Sequence, residues 1–250
     1  MKLQATGFAL TVLLSTLLIG CGGGGGGGGS AAQSGPVVST LSFPLQTAQK
    51  TLAANGLTRS FAVSITAVSA TTGTTVTCSG SGNTSDSPAA TAATFEGSQA
   101  LSAVSTITMI MSASTGCNAV TDTTTTTLYY DGNYVPLGTA IVGGDYGVYS
   151  TPPSVPASVN VNDTGIIGTE NLYTNSTKAT PNGSRAISFI VEPDTSTTAI
   201  VNLISKYSDA AGAATGTEQS RYRITALGAL TPISSDIQFT NGNRAIIRYR

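Results

Sequence analysis

The sequence predicts an all-β domain: an antiparallel meander curved into a sandwich or an incomplete barrel, with one short helix at its start. Three observations carry that prediction. From Arg59 onward, apolar residues recur at every second position over much of the chain, the period of a strand with one buried face. Gly, Asn, Asp and Pro break the alternation at short intervals, as turns require. Charged residues are only 9% of the chain and apolar ones 40%, so a core can form, and the abundant Thr suits a pleated, half-buried surface.

The helix is Pro44 to Asn55. Pro44 can start it, Leu45, Ala48, Leu52 and Ala53 make one apolar stripe, and Asn55-Gly56 stops it. The first strand follows, with Phe61, Val63, Ile65 and Ala67 on one face. Thr74 to Ser79 returns after Thr72-Gly73 as a hairpin. Ser79 to Ala90, made of Ser, Gly, Asn and Pro, reads as a loop. Thr94 to Glu96 opens the next strand, and Val104 to Met111 is another, with Ile107, Met109 and Met111 on one face. Thr123 to Thr127 leads into Leu128-Tyr129-Tyr130; Asp131-Gly132-Asn133 turns the chain and Tyr134 to Leu137 returns it.

Gly143-Gly144-Asp145 is a further turn, and Pro152, Pro153 and Pro156 mark a stiff crossing at mid-domain. Asn160 to Gly168 reads as a polar loop. Glu170 to Tyr173, Ala186 to Glu192 and Thr198 to Tyr207 are strands; the last also fits helical spacing, but its β-branched content decides for strand. In Arg221 to Ala226, Tyr222 and Ile224 point in while Arg221 and Arg223 point out. Asp236 to Phe239 and Arg244 to Tyr249 close the chain as a hairpin, with Ala245, Ile247 and Tyr249 inward and Arg244, Arg248 and Arg250 outward. Short Thr-rich and turn motifs recur in the same order in both halves. Residues 36–250 therefore read as one domain, either a single meander or two similar halves at about 59–142 and 160–250.

The N-terminus is of another kind. Lys2 precedes an uncharged apolar run from Phe8 to Ile19, the layout of a secretory signal peptide over residues 1–20. Leu18-Ile19-Gly20-Cys21 resembles the bacterial lipobox. That resemblance implies that Cys21 becomes the first mature residue and carries a diacylglycerol thioether and an acylated amine (palmitate or a similar chain). Several chains anchor a protein stably where one does not, at roughly 0.8 kcal/mol per buried CH₂. Gly22 stands where Asp would imply inner-membrane retention, so the resemblance implies the outer membrane of the cell envelope. Eight glycines follow, and residues 21–35 read as a flexible tether. In an oxidising compartment the other two cysteines, Cys78 and Cys117, form a disulfide by default.

Much chemistry is excluded. The chain has no His, so Ser-His-Asp and Cys-His sites cannot be built, and the ligand set for zinc is missing. No metal and no cofactor is expected. Glu96, Glu170, Glu192 and Glu218 could serve a carboxylate-dependent hydrolase by type alone. Asn160, Asn162 and Asp163 could ligate calcium but fit no EF-hand and read better as a polar loop. Net charge is −1, which with export argues against nucleic acid. Five Arg lie between Arg221 and Arg250 against the single acid Asp236; such outward charges protect strands from edge pairing.

One local concentration of recognition chemistry remains: Tyr129, Tyr130, Tyr134, Tyr146 and Tyr149. Tyrosines stack on sugars and offer hydroxyls, but on a hairpin they also pack across strands. The first functional reading is a non-catalytic envelope lipoprotein, membrane-bound through its N-terminal lipid, acting by protein or glycan contacts. It predicts a filled core and an exposed tyrosine patch. The alternative is a carrier or binding module with an apolar ligand in the concave face of the sheet. It predicts an apolar cavity lined by Met109, Met111, Phe189 and Ile224. A hydrolase is third.

Overall fold

The computed structural model describes residues 36–69 and 72–250. The expected signal peptide, Cys21 and the tether lie outside them. Among the described residues one helix, α1 (Leu45–Asn55), precedes thirteen strands. These are β1 (Leu57–Val68), β2 (Thr75–Asp86), β3 (Thr91–Phe95), β4 (Ser98–Met111), β5 (Val120–Tyr130) and β6 (Pro136–Ile141). After them come β7 (Tyr146–Tyr149), β8 (Thr164–Tyr173), β9 (Pro181–Pro193) and β10 (Thr198–Ser208). The last are β11 (Ala214–Thr225), β12 (Leu230–Phe239) and β13 (Arg244–Tyr249).

The meander is antiparallel throughout, but it is neither a sandwich nor an incomplete barrel. It is a closed barrel of twelve strands. β13 returns to β1, with Phe61 opposite Tyr249 and Val63 opposite Ile247. β2 pairs with β4, with Gly80 opposite Met111 and Asp86 opposite Ser105. The length of β4 permits this: one of its edges carries β3 at 98–102 and β2 at 105–111. β3 thus stands outside the ring count. Closure removes the open edges that an isolated sheet would expose to other chains.

The expected loop at 79–90 is the main correction to the strand pattern. Residues 79–86 are strand, paired on one side with β1 and on the other with β4. Their Ser, Gly and Asn content signals a loop, but two pairing partners outweigh propensity. Small residues are needed here: a side chain on Gly82 would run into the Phe61 ring and the Thr108 carbonyl. The expected loop at 160–168 is also shorter, since β8 begins at Thr164.

The outward and inward faces of the closing strands follow the alternation. Tyr222, Ile224, Ala245 and Ile247 are buried, while Arg223, Arg244 and Arg248 are exposed. The outer arginines meet acids: Arg221 pairs with Glu192, Arg223 with Asp194 and Arg244 with Asp236. Cys78 and Cys117 form a disulfide that ties β2 to the β4–β5 connection.

The interior has two apolar clusters. One, with Phe61, Val63, Ile107, Met111 and Ile247, lies between β1, β4 and β13. The other joins Phe189, Val191, Val201 and Ile224 to Phe43, Leu45 and Ala48 of the N-terminal segment. That segment closes one mouth of the barrel. Val37 bridges to Asp194 in the β9–β10 turn, and Phe43 to Val159 in the β7–β8 loop. α1 then crosses to the β2–β3 link, where Ala89 N–H donates to the Ala53 carbonyl at 2.8 Å. Gly56 ends the helix at φ +69°, a left-handed conformation open to glycine, with its N–H on the Leu52 carbonyl.

Candidate functional site

Beneath α1 the barrel encloses a cavity of about 210 Å³. Its roof is one face of the helix, Leu45, Gln49, Leu52 and Ala53. Its walls are apolar at Ile107, Leu128, Ile167, Ile187, Val201, Leu203 and Leu230. The space exists because small residues face it from several strands: Ala103 and Ser105 on β4, Thr126 on β5, Gly138 on β6 and Ser205 on β10. An apolar hole of roughly 150 Å³ suffices for benzene, so this one accommodates about eight non-hydrogen atoms.

Towards the opposite mouth the interior is polar. Arg185 of β9, at the cavity wall, faces Glu170 of β8 across 2.5 Å, with side-chain exposures of 5% and 0%. Thr139 donates to Glu170 at 2.8 Å. Tyr207 donates to Glu218 at 2.7 Å, and the Ser220 and Ser235 hydroxyls are bonded to each other. Burial works to lower the Arg185 pKa, but the Glu170 carboxylate beside it prevails and raises it well above the usual value. This belt is a structural network in which the buried groups pair with one another, while Arg185 Nε has no hydrogen-bond partner among the described residues.

Nearer the helix the polar lining is different. Asp86, at the end of β2, faces the cavity with Tyr130, Tyr222 and Tyr249. Burial pushes the Asp86 carboxyl above the usual carboxylate range, and its hydrogen bond with Ser105 brings it part of the way back. Burial also raises all three phenols, and the Asp86 charge adds to the rise in each. Tyr149, also in the wall, is pushed up to about 12 by burial. The phenols are therefore neutral near pH 7.

The five sequence-predicted tyrosines do not form one patch. Tyr129, Tyr130 and Tyr149 line the cavity. Tyr129 and Tyr146 pack around Phe95, with ring centroids 4.5 and 5.5 Å from it. Tyr146 also donates to Glu96 at 2.7 Å, and Glu96 pairs with Lys178. Tyr134 sits in the β5–β6 turn at φ +62°. Of the four residues expected to line an apolar cavity, none does: Met109 and Met111 pack with Phe61, and Phe189 and Ile224 pack in the cluster with Phe43, Leu45 and Ala48. Large side chains occupy the volume they point into, so the cavity lies where small ones leave room. None of the four candidate glutamates lines it either. Asp163 accepts from the Asn160 backbone N–H at 2.7 Å, closing its own turn.

Sequence reasoning missed Asp86, Tyr222 and Tyr249 as a group. Tyr222 and Tyr249 carried inward parity on their strands, but Asp86 lay in a stretch read as a loop, so nothing in the sequence joined the three.

No family model and no curated protein matches the chain. Among solved structures it is similar to a LolA superfamily protein from Nitrosomonas europaea, at 7% identity and TM-score 0.30, over 83% of this chain and 91% of that one. A DUF1329 family protein from Desulfovibrio piger gives 12% identity and TM-score 0.32, over 83% and 92%. A putative outer membrane lipoprotein-sorting protein domain from Vibrio parahaemolyticus gives 9% and 0.29, over 83% and 89%. Scores this low carry no weight; the barrel and its cavity stand on this chain's own strand pairings.

Proposed function

We propose that the domain is a non-catalytic binding module that holds a small, largely apolar ligand inside its barrel. The observation that carries this is the cavity of about 210 Å³ roofed by α1. A barrel evolved only for outer-surface contacts has no use for it, since an unfilled hole forfeits packing energy. The reading favours the interior over the outer tyrosines. Phe95, which Tyr129 and Tyr146 flank, is only 4% exposed, and Tyr129 itself lines the cavity, so these rings do not make an exposed patch. A carboxylate-dependent hydrolase is disfavoured because the cavity presents one acid, Asp86, where two are needed. With a lipidated Cys21 the module would be fastened to the outer membrane, with no cofactor.

The test is direct titration of the full-length protein with p-xylene, which has eight carbons, followed by calorimetry, alongside mass spectrometry under non-denaturing conditions for a co-purified small molecule. Wild type is expected to bind p-xylene. Ala103→Phe, which projects a ring into the cavity, is expected to abolish binding while the protein stays folded. No binding by wild type, together with no co-purified molecule, would overturn the reading.

A further inference from the structure

We infer that the cavity takes an organic cation, an alkyl- or arylammonium group of about eight non-hydrogen atoms, with Asp86 as its counter-ion and Tyr130, Tyr222 and Tyr249 as the surrounding rings. This rests on the cavity being the ligand site, and it names the chemistry of that ligand.

Two acids of the same barrel show the contrast: Glu170 is fully buried, and Asp86 is half-buried at the cavity. Glu170 has a cation, Arg185, and a hydroxyl, Thr139. Asp86 has the Ser105 hydroxyl as a hydrogen-bond partner, and no Lys or Arg among the described residues forms an ion pair with it. Removing a carboxylate from water without a counter-charge costs stability. The chain can compensate such a group and does so for Glu170. It leaves Asp86 facing a cavity instead.

Of the elements lining the cavity with Asp86, only β9 brings a cation, Arg185, and Glu170 pairs with it. The cavity face of α1 presents Leu45, Gln49, Leu52 and Ala53, while Lys50 is not among the lining residues. Ser105 lies opposite on β4 and Leu57 opposite on β1. β5, β11 and β13 bring phenols. Arg185 is engaged by Glu170, and Arg59 donates to the Thr58 carbonyl. Aromatic rings attract cations to their faces, most strongly where water is excluded. An anion would meet Asp86 as a like charge, and a hydrocarbon would leave it unpaired. A cation with an apolar body satisfies the acid, the rings and the aliphatic wall together.

The experiment compares three probes of equal size on the full-length protein: butyltrimethylammonium, its uncharged carbon twin 2,2-dimethylhexane, and hexanoate. The chain has no Trp and nine Tyr, so tyrosine emission reports binding without a label. Butyltrimethylammonium is expected to bind at least about tenfold tighter than either other probe. Asp86→Asn is expected to bring the ammonium and hydrocarbon affinities within about threefold of each other, because it removes the charge and keeps the shape. Hydrocarbon or hexanoate binding as tightly as the ammonium in wild type would overturn the inference and leave the cavity as a ligand site. Binding of none of the three would overturn both.

Discussion

Replacing Arg185 by Met should strand Glu170. The guanidinium and the carboxylate stand 2.5 Å apart, with side chains 5% and 0% exposed, so neither can turn to water. Glu170 would keep only the Thr139 hydroxyl at 2.8 Å. Its position is otherwise tight: a side chain on Gly147 would collide with Glu170 Oε1 and Thr139 Oγ1. Removing one partner of a buried pair typically costs about 3–5 kcal/mol, since an uncompensated charge remains. For a domain of this size each kcal/mol moves Tm by roughly 2–4 °C, so a loss of ~4 kcal/mol lowers it by roughly 8–16 °C. The double variant Arg185→Met with Glu170→Leu replaces the pair by apolar groups and should recover at least about 2 kcal/mol, because no stranded charge is left. Urea unfolding followed by far-ultraviolet circular dichroism measures four proteins: wild type, Arg185→Met, Glu170→Leu and the double variant. A cost under about 1 kcal/mol for the single variant, or a double variant as unstable as the two singles summed, would refute the assignment of this pair as a mutually dependent floor of the cavity.

Two further outcomes are expected. Cys78→Ser with Cys117→Ser opens a crosslink of sequence separation 39 and should cost about 4 kcal/mol in the chain-entropy model, read as a lower urea midpoint under oxidising conditions; an unchanged midpoint contradicts it. Asp86→Asn should raise Tm at neutral pH, because burial lifts the folded-state pKa above that of the unfolded chain, so ionisation opposes folding there. That gain should shrink as pH falls through the raised value, where wild-type Asp86 becomes protonated on its own. A variant that lowers Tm equally at neutral and acid pH would show that the carboxylate is a structural partner instead.

Several local readings hold, though the loops expected at 79–90 and 160–168 do not. The start and stop of α1 rest on Pro44 and Asn55-Gly56, and the facing of Tyr222, Ile224, Ala245 and Ile247 rests on a period of two within single strands. The strand at 198–207 was decided by β-branching against a competing helical spacing. The stretch 79–86 was lost because its polarity and glycines describe a loop until β1 and β4 are known to flank it. With that strand missing, the sheet lacked the segment that joins its two ends, and an open form was the natural expectation.

By itself the sequence determined the class of the domain, the direction in which most side chains face and the pairing of its two cysteines, because each depends on neighbours a few residues away or on elimination. Only the tertiary structure decided that the sheet closes, through pairs such as Phe61 with Tyr249, and that Asp86 meets three phenols across an interior space. Contacts between residues so distant along the chain leave no local period. A cavity leaves even less, since it is made by the side chains that are too short to fill it.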